Sequence, residues 1–266
     1  MRQAYQEKDD MLLNEGAAGA AQYEEAYGRS AGNAGRLIGG PAAGGPRKLG
    51  KPNEDNAPEA AAAPQRESLP PMTLPSGAIY TGQWLNGMKD GYGHQVWPDG
   101  SKYEGEWQAD QANGFGKLVH ADGDVYEGQW RNDKAHGNGS YTHANGATYV
   151  GDWLDDKQHG RGVETWPDGA KYDGQYFEGK KHGRGTLTFA DGSVYFGDFQ
   201  MNEISGKGRY VWPDGKTYEG QWEKNKMHGH GVLTWKDGKR YEGYFVNDKR
   251  EGQGKFTWKD GRVYDG

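Results

Sequence analysis

A tyrosine returns every 23 residues, at Tyr80, Tyr103, Tyr126, Tyr149, Tyr172, Tyr195, Tyr218, Tyr241 and Tyr264, and a glycine follows each one two residues later. No insertion or deletion breaks the period over eight full copies, 80–263. A short, fixed period means a supersecondary unit that cannot bury its apolar face alone and does so by stacking on its neighbours. The chain is therefore expected to be a repeat array.

Each copy reads as two strands. In the first, as in Tyr103-Glu104-Gly105-Glu106-Trp107, side chains alternate, so Tyr, Gly and an aromatic share one face while polar or acidic residues take the other. A turn follows at position 8, held by Gly87, Asp110, Asp133, Asp156, Gly179, Asn202, Asn225 or Asp248, residues that tolerate left-handed backbone. The second strand opens on Gly-x-Gly and ends on a large ring, Trp97, Trp166, Phe189, Trp212, Trp235 or Trp258; His120 and His143 stand there in two copies. Asp-Gly or Asn-Gly then marks a second hairpin turn in all eight copies. A large ring needs room over the neighbouring strand, and paired glycines leave it. The expected fold class is all-β: an elongated, single-layer, twisted antiparallel sheet of 23-residue hairpins. With ~4.8 Å between strands, eight copies span on the order of 80 Å.

Composition agrees. All ten Trp and all seven Phe lie between Trp84 and Trp258, and only Tyr5, Tyr23 and Tyr27 fall outside the array. Residues 1–71 are expected to be a low-complexity, mostly disordered tail, with short helices open at 3–14 and 20–27, because Ala, Gly, Pro and charge cannot offset ordering entropy. The array is expected over 72–266, with a half-repeat at 72–79 covering one sheet edge and the start of a ninth copy at 264–266. That unfinished copy suggests an end-to-end contact through an unpaired strand.

Several functions are disfavoured. A net charge of −6 gives no footprint for nucleic acid. No apolar run approaches the ~20 residues that cross a bilayer, and the N-terminus has no secretory core, so a cytoplasmic location is expected. Zero cysteines exclude disulfides and thiolate metal sites. His136, His159, His182 and His228 repeat in register, but copies ~10 Å apart cannot converge on one metal centre. The recurring Glu104, Glu127, Glu219 and Glu242 read as a wet face rather than an acid/base pair. The glycine pattern is not followed by the helix that a phosphate cradle requires. No catalytic residue, metal or cofactor is expected.

A single-layer sheet has no second layer to cover its aromatic face. The expected partner-binding face is therefore Tyr80, Trp84, Trp97, Tyr103, Trp107, Tyr126, Trp130, Tyr149, Trp153, Trp166, Tyr172, Tyr176, Tyr195, Phe199, Tyr218, Trp212, Trp222, Trp235, Tyr241, Phe245 and Trp258. It forms a groove for a helix, an extended segment or a second copy. On this reading, Trp130→Ala with Trp153→Ala weakens capture and spares the fold. Gly82, Gly105, Gly128, Gly151, Gly174, Gly197, Gly220 and Gly243 are the structural glycines that make room for the rings.

Tyr-x-Gly-x-Trp followed by Gly-x-Gly and Asp-Gly, recurring eight times, resembles the MORN repeat (membrane occupation and recognition nexus) family. The resemblance covers 74–266. It implies a non-catalytic scaffold or adaptor with a grooved β-sheet, of the kind found in flagellar radial spokes and other axonemal complexes, cytoskeletal structures and junctional membrane proteins. It makes a ciliary or flagellar assembly such as the radial spoke head the leading place, and the groove and the unpaired edge strand add the expectation of self-association as a homodimer. The alternative it implies is a phosphoinositide-linked membrane adaptor. Against that, 24 basic residues interleave with 28 acidic ones over 80–266, so an anionic leaflet offers little net attraction.

Overall fold

The computed structural model describes residues 65–266. The expectations for 1–64, including both short helices, lie outside the described residues. Within them there are eighteen strands in one sheet and no helix. Each copy supplies a seven-residue strand such as Lys102–Gln108 and a nine-residue strand such as Gln111–Val119. Each strand pairs antiparallel with the next in the chain, so the sheet is an open meander. Glu67–Thr73 pairs with Ile79–Leu85 and covers the first edge. This cover begins upstream of the expected boundary at 72, and it carries Pro70 and Pro71, which only an edge strand tolerates.

Two turn types alternate. Within a copy, both central residues have positive φ, as at Asn132 (51°) and Asp133 (65°). This is the two-residue type I′ hairpin that suits strand twist. The first central residue also adopts this backbone where Ala109, Glu178, Met201 or Lys224 occupies it. Between copies the turn is different. Trp97 N–H donates to Ser101 C=O, Gly100 N–H donates to Trp97 C=O, and only Gly100 has positive φ (93°). Asp-Gly here builds a three-residue loop with a glycine bulge rather than a two-residue turn.

A further bulge sits inside every copy. Gly82 pairs with Gly93 and Trp84 with Lys89, so one residue faces three. The first glycine of Gly-x-Gly takes up the positive φ that this bulge needs, 97° at Gly91.

The glycines form one continuous rung across the sheet. Gly82 pairs with Gly93, Gly93 with Gly105, Gly105 with Gly116, and the pairing runs unbroken to Gly254. The tyrosine rings lie on this rung. A Cβ on Gly93 would stand less than 3.0 Å from the Tyr80 ring, and the same holds for Gly116 under Tyr103 and Gly162 under Tyr149. Each hydroxyl turns back to donate to a backbone carbonyl three residues on, 3.0 Å from Tyr103 to Glu106 and 2.8 Å from Tyr126 to Gln129.

The position-5 rings stand edge-on to these tyrosines. Tyr103 meets Trp107 of its own copy at 4.9 Å and Trp130 of the next at 5.3 Å, at 79° and 87°. The pattern runs from Trp84 to Tyr241 as one row of sixteen rings. Each edge-to-face pair adds about 0.5–1.5 kcal/mol beyond area burial. Four indoles also donate to a glycine carbonyl of the preceding copy, as Trp130 does to Gly116 at 3.0 Å.

Burial pushes these phenols up, Tyr80 to about 12, with Asp110 and Asp90 adding to the effect. Their folded values lie above the unfolded value near 10, so their stabilisation is complete below about pH 10 and is lost as pH rises through the folded values. Tyrosinate absorbance of the array should therefore appear together with loss of the β-sheet signal above pH 10. A gradual titration that leaves circular dichroism intact would contradict the burial.

Candidate functional site

The aromatic face is filled rather than bare. Of the twenty-one residues expected to meet a partner, eighteen are at most 9 % exposed, including Trp107, Trp130 and Trp153 at 2–3 %. The reasoning that one layer leaves its rings uncovered is corrected: the rings cover one another, and the position-10 and position-16 side chains close over them. Ala112, Ala135, Ile204, Met227, Leu118 and Leu233 do this with 0–1 % exposure. Only Trp97, Trp235 and Trp258 stay half-buried. At each of the eight glycines from Gly82 to Gly243, an added Cβ would stand less than 3.0 Å from the hydroxyl of the tyrosine two residues before it.

Charged groups on this face belong to the packing. The Lys89 ammonium sits 3.6 Å from the Trp107 ring centre and donates to Gln95 at 2.8 Å. Burial drives its pKa down to about 8 against the pull of Asp110 and Asp133. Lys181 pairs with Glu164 at 3.0 Å, and that carboxylate also accepts from the Tyr176 hydroxyl. At the inter-copy loops Lys216, Lys239 and Arg262 stack on Trp212, Trp235 and Trp258.

The two copies with histidine in place of the loop ring build a polar cluster instead. Tyr141 donates to Asp124 at 2.6 Å, His143 Nδ1 lies 3.1 Å from the same carboxylate, and Ala144 N–H donates to it at 2.8 Å. Burial raises the Asp124 carboxyl, but these partners outweigh it and hold it below the usual range. Burial lowers His120. This cluster replaces a Trp contact with hydrogen bonds. His136, His159, His182 and His228 recur one per copy, and among the described residues no three His, Cys, Asp or Glu are placed to hold a metal ion.

Two sets of structural residues were hidden, one in the expected wet face and one in the expected turn. At position 4 the side-chain oxygen accepts the bulge N–H: Gln83 from Tyr92 at 2.8 Å, Gln129 from Asn138 at 2.8 Å, Asp152 from Arg161 at 2.9 Å. At position 8 the Asx side chain latches one copy to the one before. Asp133 accepts from Ala112 N–H at 2.7 Å while its own N–H donates to Ala112 C=O at 3.0 Å. Asp156, Asn202, Asn225 and Asp248 repeat the exchange. The only sequence signal was the choice of Asp or Asn over Gly at position 8.

Burial raises the Asp133, Asp156 and Asp248 carboxyls despite the accepted N–H. Their contribution is therefore fullest below the unfolded value near 4 and falls as pH rises through the folded values. Replacing all three by Asn keeps the latch, as Asn202 and Asn225 already do, and removes the buried charge. The variant should unfold at higher urea than the parent at pH 7, with the advantage shrinking towards pH 4. An advantage independent of pH would contradict this.

The outer face is open. Tyr92, Phe115, Phe196 and Tyr244 are each more than half exposed. A cleft of about 470 Å³ crosses the outer face over Gly197, Gly208, Gly220 and Gly231. Its walls carry Arg184, Lys207, Arg209 and His230 with Phe196 and Glu219. No helix of the described residues is long and apolar enough to cross a membrane.

A family model described as MORN repeat matches eight times in succession, over residues 80–102, 103–125, 126–148, 149–171, 172–194, 195–217, 218–240 and 241–261. No curated protein matches the chain. Among solved structures, the SAS-4 (dCPAP) TCP domain of Drosophila melanogaster, in complex with a proline-rich motif of Ana2, is 16 % identical; the match covers 71 % of this chain and 96 % of that one, with a TM-score of 0.37. The G-box domain of the microcephaly protein CPAP is 20 % identical, with 66 % and 98 % covered and a TM-score of 0.38. The TCP10 domain of Danio rerio CPAP, in complex with a STIL peptide, is 16 % identical, with 75 % and 99 % covered and a TM-score of 0.34. These scores are too low for anything about partners to follow from them.

Proposed function

Because the chain belongs to the MORN-repeat family, we propose that it is a non-catalytic scaffold that organises protein partners in a ciliary or flagellar axonemal complex such as the radial spoke head. The observation that carries the scaffold reading is the unbroken pairing of all eighteen strands in one sheet. Identical tiles repeated on a common axis supply a long surface and no single reacting centre. The axonemal place rests on the family resemblance.

Partner contact along the aromatic side falls to the half-buried rims at Trp97, Trp235 and Trp258, with the buried rings fixing their position. Self-association as a homodimer belongs to the same proposal. Demembranated axonemes test it: the tagged protein should stay with the microtubule doublets after detergent and leave with radial-spoke subunits at high salt. Release by detergent alone, together with salt-sensitive binding to phosphoinositide vesicles, would favour a membrane adaptor and defeat the scaffold.

A further inference from the structure

The cleft on the outer face lies opposite the rings and is independent of any assembly the chain serves. We propose that it holds an extended acidic segment of a protein partner, in polyproline-II conformation with a carboxylate at every third residue. Three observations point there.

The first is unpaired positive charge. Position 13 holds a permanent cation in three successive copies, at Arg161, Arg184 and Lys207, with His230 in the next, and position 15 adds Arg209 beside Lys207. Copy six alone carries a full positive charge at both positions. In copy two, by contrast, Lys117 at position 15 is paired with Glu127 at 3.3 Å. Arg184 pairs with Asp198 at 3.4 Å, and that carboxylate also accepts the bulge N–H of Lys207 at 3.0 Å, so the unpaired charge of the cleft is that of Lys207 and Arg209. Among the described residues no carboxylate lies within 4.0 Å of the Lys207 ammonium or the Arg209 guanidinium.

The second is relief. The glycine rung puts no side chain over the floor, while Phe196, 55 % exposed, stands in the wall as an apolar contact.

The third is spacing. Equivalent positions in successive copies are two strands apart, ~9.6 Å. A polyproline-II segment advances ~9.3 Å in three residues. Such a segment, lying across the strands, presents a carboxylate to each position-13 cation in turn, and its shape is formed before it binds. A helix advances only ~4.5 Å in three residues and falls out of step within one copy.

The test uses fluorescence anisotropy with the full chain at low salt. The probes are a labelled peptide of Glu-Pro-Pro triplets, the same composition with its glutamates paired, and phosphatidylcholine vesicles doped with a phosphoinositide. The triplet peptide should bind, and more tightly than the permuted one. Lys207→Glu with Arg209→Glu should weaken it by about tenfold or more while circular dichroism is unchanged, since both side chains are on the open face. Arg184→Gln, which leaves the rest of the wall in place, should weaken it less. No binding of the triplet peptide, equal binding of the two peptides, indifference to the double reversal, or capture of vesicles in preference to peptide would each overturn the proposal.

Discussion

Gly162→Ala should cost the array about 3 kcal/mol of stability, although it adds one methyl group. The added carbon would stand less than 3.0 Å from Cε2, Cζ and the hydroxyl oxygen of Tyr149, which is 1 % exposed. Moving the ring breaks its edge contacts with Trp153 at 5.1 Å and Tyr176 at 5.2 Å, and the hydroxyl bond to Asp152 C=O. Gly169→Ala is the control. That glycine has φ of 89° and nothing within 4 Å of the added carbon, so its cost is the left-handed backbone alone, about 1–2 kcal/mol. A double-mutant cycle sharpens the point: with Tyr149→Ala the ring is gone, and Gly162→Ala should then cost far less than in the parent. Urea unfolding followed by circular dichroism measures all four chains. Additive costs would mean that ring and glycine do not meet.

Trp153→Ala should cost about 3–5 kcal/mol. The indole is 3 % exposed, lies 5.1 Å from Tyr149 and 5.2 Å from Tyr126, and donates to Gly139 C=O at 3.1 Å. A repeat array is held together by nearest-neighbour contacts, and this ring is the link between the third and fourth copies. Its loss should split one unfolding transition into two in calorimetry, one for each side of the gap. An unchanged single transition would show that the ring is dispensable to the fold and free for a partner.

The parts legible in the sequence were those set by local alternation. Tyr80, Gly82 and Trp84 share a face because strand side chains alternate, and the periodic recurrence of the trio announced both the sheet and the ring-over-glycine packing. The aromatic groove failed for a physical reason. Counting layers treats a sheet face as flat, whereas rings lying on glycines and rings standing edge-on to them fill the space between themselves. The latch at Asp133 and the bulge clamp at Gln129 were invisible because each serves a backbone group brought near only by strand pairing; alone they read as turn former and wet-face residue. The left-handed backbone at Ala109, Glu178, Met201 and Lys224 had no local signal. Those residues disfavour it, and the strand pairing on either side imposes it. On the outer face the cations were legible singly, but the empty floor between them was not, since it depends on glycines from successive strands falling in register.

Iodide quenching of tryptophan fluorescence tests most directly whether the aromatic rings are the core of this fold. Of the ten Trp, Trp84, Trp107, Trp130, Trp153, Trp166, Trp212 and Trp222 are at most 9 % exposed. Most of the emission of the folded protein should therefore resist iodide, leaving a minor accessible fraction from Trp97, Trp235 and Trp258, and should become quenchable only in denaturant. Quenching of nearly all the emission in the folded protein would mean a bare aromatic groove and would contradict the account.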